Sequence, residues 1–174
     1  DLGDYVPRGA VITSAKLKLR CQYAGAREIT VGAYGLRRPW DENTATWAGP
    51  TNLLAWAKPE GGAGDAGDLG DRDADSMSAV TLPTNAANKW YEWGIRDLVQ
   101  RWADDPSTNL GVLLMSTDTA SSEFTFFSSE GAVSDRPVLE VTWSGGHALP
   151  TPGPDRRDAI LRYAAGGYTG VEDT

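Results

Sequence analysis

The run Ala15-Lys16-Leu17-Lys18-Leu19-Arg20-Cys21-Gln22-Tyr23 places an apolar side chain at every odd position and a polar one at every even position. A period of two is the period of a β-strand with one face in a core and the other in water. Cys21 falls on the buried side, where a thiol behaves as a small inert hydrophobe. Further strand-like runs follow at Glu28 to Leu36, Met77 to Leu82, Lys89 to Ile95, Leu110 to Ser116, Phe124 to Ser129 and Pro137 to Trp143. Turn formers separate them at Arg38-Pro39, Gly49-Pro50 and Gly61 to Gly70, which is the punctuation strands require. Many short strands with no regular helix between them predict an all-β chain, an antiparallel β-sandwich of jelly-roll-like form. One helix interrupts them. In Ile95-Arg96-Asp97-Leu98-Val99-Gln100-Arg101-Trp102, the residues Leu98, Val99 and Trp102 share a helical face, and Asp104-Asp105-Pro106-Ser107 stops the helix.

The composition changes after Trp143. Residues 146–154 read as a Pro/Gly linker, through Gly146 and Pro150-Thr151-Pro152-Gly153-Pro154. Residues 155–174 form a C-terminal extension. Within it, Ala159-Ile160-Leu161-Arg162-Tyr163 fits a helix capped by Asp155 and ended by Gly166, or a short strand, since periodicity does not arbitrate at this length. Residues 1–145 are then the folded module, a reasonable size for one domain of about 100–150 residues.

Charge and composition exclude several functions. Sixteen basic residues against twenty-four acidic ones give a formal net charge of -8, the wrong sign for a nucleic-acid partner. No apolar run reaches the ~18 residues of a membrane-spanning helix. The chain opens at Asp1 with no basic-then-apolar leader, so any export signal is already removed or lies outside this stretch. One cysteine gives no internal disulfide framework, and the single histidine, His147, sits in the linker, away from any scaffold a catalytic triad needs.

Four segments stand in a particular order. The first is Val6-Pro7-Arg8-Gly9-Ala10-Val11-Ile12-Thr13-Ser14-Ala15-Lys16-Leu17, and the second is Trp40-Asp41-Glu42-Asn43-Thr44-Ala45-Thr46-Trp47. Then come Asp97-Leu98-Val99-Gln100-Arg101-Trp102 with Asn109-Leu110-Gly111, and Phe127-Ser128-Ser129-Glu130 ahead of Arg136-Pro137-Val138-Leu139-Glu140-Val141. In this order and spacing the set resembles the DNRLRE (disaggregatase-related) domain over residues 1–145. The resemblance implies an extracellular or cell-surface β-sandwich, often in tandem or attached to polysaccharide-acting enzymes. Some relatives are classed as carbohydrate-binding modules. It implies no catalytic residues. Family members begin one or two strands earlier, whereas the pieces Ala159 to Tyr163 and Gly167 to Thr174 resemble that opening. Two expectations follow: a slice of a tandem array, or a subunit whose tail completes a neighbouring sandwich by strand addition. In the second, Ile160, Leu161, Tyr163, Tyr168 and Val171 make the subunit contact.

Seven tryptophans in a short chain suit polysaccharide, because the apolar face of a pyranose stacks on a flat ring. Trp40 and Trp47, within the motif above, are assigned to the core, as are Trp102 and Trp143. The expected sugar platform is therefore Trp56 with Trp90 and Tyr91. Asp65, Asp68, Asp71, Asp73 and Asp75 stand in Gly-rich sequence, and carboxylates on such a backbone are the ligands calcium takes; the competing reading is a solvated acidic loop. No other cofactor is expected. Carboxylate pairs drawn from Asp41, Glu42, Glu123 and Glu130 carry no specific signal for glycoside hydrolysis. A non-catalytic module is expected, with polysaccharide or identical neighbouring modules as partners.

Overall fold

The computed structural model describes residues 2–57, 70–116, 118 and 122–146. The tail residues Ile160, Leu161, Tyr163, Tyr168 and Val171 lie outside the described residues, as do Asp65, Asp68 and His147. The described residues form seven strands and one α-helix: β1 (Ala10–Tyr23), β2 (Ile29–Gly35), β3 (Ser78–Leu82), β4 (Trp90–Gly94), α1 (Arg96–Asp104), β5 (Val112–Ser116), β6 (Thr125–Phe126) and β7 (Val138–Gly145). Every strand-like run of the sequence holds one of these strands. The run from Phe124 to Ser129 is paired only over Thr125–Phe126.

All strand pairs are antiparallel and make two sheets. In the first, β1 is central. It pairs with β4 on one side from Lys16 to Arg20. On its other side it pairs with β7 from Ala10 to Lys18, and then with β6 at Cys21 and Tyr23. In the second sheet β2 lies between β3 and β5. The fold is a β-sandwich.

β1 is longer than its alternating run because a bulge between Ile12 and Ser14 resets the phase. Ala10 and Ile12 are buried at even positions, Ala15 at an odd one; the extra residue of a bulge permits that change. The bulge also lies beyond the end of β4, which stops at Gly94 opposite Lys16. The bare edge of β1 there is covered by α1. The Ile12 N–H donates to Gln100 Oε1 at 2.8 Å, Gln100 Nε2 donates to the Ala10 carbonyl at 3.2 Å, and Arg96 Nε donates to the Ile12 carbonyl at 2.8 Å. Backbone groups that would otherwise be buried without partners are thus satisfied. Leu98, Val99 and Trp102 turn inward from the helix, as their spacing predicts.

The inner faces supply the core: Ile12, Ala15, Trp93 and Val141 from one sheet, Ile29, Val31, Ala33 and Leu82 from the other. Trp93 is fully buried, sits edge-on to Phe126 at 6.0 Å, and donates its Nε1–H to the Val31 carbonyl at 2.8 Å. That bond joins the two sheets and satisfies an indole N–H that water cannot reach. Cys21 is buried, and burial raises its thiol pKa, so it is not a reactive thiolate.

Candidate functional site

The chain between β2 and β3 is too long for a hairpin, and its described part folds back over the smaller sheet. Leu113 of β5 pairs opposite Tyr34. Alternation therefore turns it away from the core, which takes Val112 and Leu114. On this outer face Leu36 and Trp56 pack with Leu110 and Leu113 in a second apolar cluster.

Two buried carboxylates fasten that segment. Asp71, with no exposed surface, accepts the Ala57 N–H on both oxygens at 3.0 Å and lies 3.3 Å from Arg38 Nε. Asp73 accepts from Arg37 Nε at 3.0 Å and from Arg101 of α1 through both terminal nitrogens. Burial alone would raise the Asp73 pKa. The hydrogen bonds and positive charges of Arg101 and Arg37 outweigh it and hold the carboxyl below its ordinary value. Gly35 makes the approach possible: a Cβ there would lie 2.6 Å from Asp73 Oδ2 and 2.8 Å from Leu98 Cδ1.

The fastened segment then organises itself. Asp41 Oδ1 accepts the N–H of Asn43 at 2.8 Å and of Thr44 at 3.0 Å, the turn that a short acidic side chain favours. The Thr46 carbonyl accepts Trp56 Nε1–H at 3.0 Å, and the Asp41 N–H donates to the Pro50 carbonyl at 3.0 Å. Trp40 and Trp47, placed in the core by the sequence reading, are 45% and 71% exposed; that assignment is corrected. They stand in Pro-, Asp- and Asn-rich turn sequence, with no alternating pattern to bury them.

Trp40 forms one wall of an open cleft of ≈ 360 Å³ lined by Pro39, Glu42, Asn109, Leu110 and Gly111. Its Nε1–H donates to the Leu110 carbonyl at 3.0 Å. Gly111 has φ +96°, and a Cβ there would lie 3.2 Å from Trp40 Nε1. The indole therefore rests on bare backbone with its edge tethered and part of its ring open to solvent. Asn109 contributes an amide, and Glu42 a carboxylate, both capable of bonding to hydroxyls.

The expected aromatic platform is not assembled. Trp56 is buried beneath its own loop, because its indole fills the second cluster. Trp90 is 39% exposed, but Tyr91, the next residue of the same strand, packs against the core. Neighbours on a strand point to opposite faces, so these two rings cannot share one surface. Burial, and then the nearby Cys21, raise the Tyr91 pKa. Of the acidic residues considered for calcium, Asp71 and Asp73 are internal counter-ions for arginine, and Asp75 is exposed. Among the described residues no group of three His, Cys, Asp or Glu side chains is placed to hold a metal ion. No helix among them is long and apolar enough to cross a membrane.

A two-sheet sandwich whose solvent-facing cleft combines a pinned aromatic ring with hydroxyl-bonding side chains has the form of a binding module. Residues 71–143 match the family model of carbohydrate-binding module family 96. The match runs from the Asp71 anchor to Trp143 and includes the Asn109–Gly111 side of the cleft. No curated protein and no solved structure matches the chain.

Proposed function

We propose that the protein is a non-catalytic carbohydrate-binding module of a secreted or cell-surface protein, related to the DNRLRE domain, with residues 1–145 as the module. The glycan lies in the Trp40 cleft. One observation carries this reading: the half-exposed Trp40 indole is fixed from behind by the Leu110 carbonyl and Gly111 and flanked by Asn109 and Glu42. A pyranose offers an apolar C–H face to such a ring and equatorial hydroxyls to its polar neighbours. Because the ring is already tethered, binding costs little side-chain entropy. Affinity electrophoresis against a panel of polysaccharides tests the site. Trp40→Ala is expected to weaken binding at least tenfold with its circular dichroism unchanged, and Trp90→Ala to bind as the parent does. The reverse pattern would move the site to the outer face of the larger sheet.

A second reading, assembly by strand addition, is supported by one edge of the sandwich. Among the described residues β5 pairs only with β2 and β7 only with β1, and the inward-facing Val112, Leu114 and Leu139 remain partly exposed. An unpaired edge over incompletely covered apolar side chains accepts a further strand. The donor in this reading is residues 155–174 of a neighbouring copy. It requires concentration-dependent oligomers in light scattering that are lost when those residues are removed.

A further inference from the structure

We infer that Arg38 is a positioning residue for the cleft: gripped by the buried Asp71, it sets where the Trp40 ring stands against the Asn109–Gly111 wall. This deepens the carbohydrate-binding reading and rests on it. Arg38 is not among the described residues that line the cleft. Its guanidinium bridges two other parts of the β2–β3 segment, with Nε 3.3 Å from Asp71 Oδ1 and a terminal nitrogen donating to the Ala55 carbonyl at 3.2 Å. Asp71 has no exposed surface and takes the Ala57 N–H on both oxygens, and its own carbonyl accepts the Arg37 N–H at 2.8 Å. Arg38 is therefore held through its neighbour's backbone and through its own side chain.

That hold carries to the ring. Trp40 is two residues on, about 7 Å of extended chain, and the residue between is Pro39. Proline locks its own φ and confines the residue before it to extended backbone, so the link is stiff. Only side-chain torsions remain, and the bond from Trp40 Nε1 to the Leu110 carbonyl fixes those. The opposite wall is tied to the same stretch of chain. Leu36 donates its N–H to the Gly111 carbonyl at 3.1 Å, and Leu36 bridges to Arg72, between Asp71 and Asp73. Asp73 holds Arg101 of α1, whose carbonyl accepts the Asp105 N–H at 2.8 Å and so leads into the Pro106–Thr108 turn before Asn109. Asp71 and Asp73 thus refer both walls to one point. A ring held in place beforehand binds without first having to be ordered.

Magnetic resonance of the nitrogen-15-labelled full chain tests the inference, because each indole N–H gives its own signal and the Trp40 signal is the one lost in Trp40→Phe. Arg38→Met alone would leave the Asp71 charge buried and unpaired. It is therefore combined with Asp71→Asn, whose amide oxygen still accepts the Ala57 N–H. The double variant is expected to shift the Trp40 signal while that of Trp93, bonded to the Val31 carbonyl, stays in place. Arg38→Lys, which keeps a cation beside Asp71, should leave the Trp40 signal nearer its parental position than the double variant does. Affinity electrophoresis with β-glucan, xylan, galactomannan, alginate and polygalacturonate supplies the second arm. Any polymer that retards the parent should bind the double variant about fivefold more weakly, the factor for ordering one freed side chain. A Trp40 signal unmoved in the double variant overturns the inference, and so does one that moves together with Trp93, since the pair then supports the whole fold. A larger shift in Arg38→Lys than in the double variant, or parental binding despite a moved ring, overturns it too. Retardation of the parent by no polymer refutes the carbohydrate-binding reading, and the two indole signals still decide whether Arg38 holds the ring.

Discussion

Asp73→Asn removes one charge from the point where the β2–β3 segment, the smaller sheet and α1 meet, and it keeps the shape of the side chain. Asp73 is 5% exposed, and its carboxylate receives both Arg37 and Arg101. Hydrogen bonds to charged groups contribute about 1.5–3 kcal/mol each. The two arginines are about half exposed, so water replaces part of what they lose. One bond per arginine, at the low end of that range, gives about 2–3 kcal/mol at pH 7. That corresponds to a Tm lower by about 5–10 °C for a module of this size. The pH dependence is the sharper measure. The folded-state pKa of Asp73 lies below its ordinary value of 3.8. Its stabilisation is complete above that ordinary value and is lost as pH falls through the lower folded value. Urea unfolding of parent and variant should therefore give stability curves separated at pH 7 that converge below about pH 3.8. Glu92, held low by Lys16 and Lys18, and Asp105, held low by Ser107, are present in both proteins, so their acid losses cancel in the difference. A gap that stays constant down to pH 2.5 would refute the assignment of this stability to the Asp73 charge.

Trp93→Phe keeps most of the buried volume but leaves the Val31 carbonyl without its indole donor, and denaturant unfolding should show a loss of about 1–3 kcal/mol. Gly111→Ala forces a side chain into φ +96° and against Trp40 Nε1. A cost of about 1–2 kcal/mol is expected, together with a loss of glycan binding that titration of the tryptophan fluorescence would follow. Trp56→Ala empties the second cluster and should destabilise by about 3–5 kcal/mol. It should also raise proteolysis within residues 38–57 before the rest of the module is cut.

Much of the sandwich is written along the chain. The alternation from Ala15 to Tyr23 names the inner face of β1, and Leu98, Val99 and Trp102 name the buried stripe of α1. Both patterns are local: a side chain's direction follows from its position in a strand or helix and needs no knowledge of a partner. The stretches outside regular structure resisted the same treatment. Trp40, Trp47 and Trp56 sit in one irregular segment, and the ring expected outside is buried while the two expected inside are exposed. No period governs a loop, so burial there is set by what lies across from each residue. The exposed position of Trp40 was hinted at only by the Pro39 and Asp41 flanking it.

Asp71 and Asp73 show where local reading ends. In the sequence they belong to an acidic, Gly-rich stretch that suggests solvent or a metal ion. In the folded chain they are the least exposed carboxylates described, held by arginines from β2's exit and from a helix far along the chain. The sequence by itself determined which residues alternate, and so the strands, the short helix and the all-β class. The tertiary structure alone decided which charges meet and which indole faces water, because a buried ion pair and an open ring are properties of contacts between distant segments, and no short-range pattern encodes them.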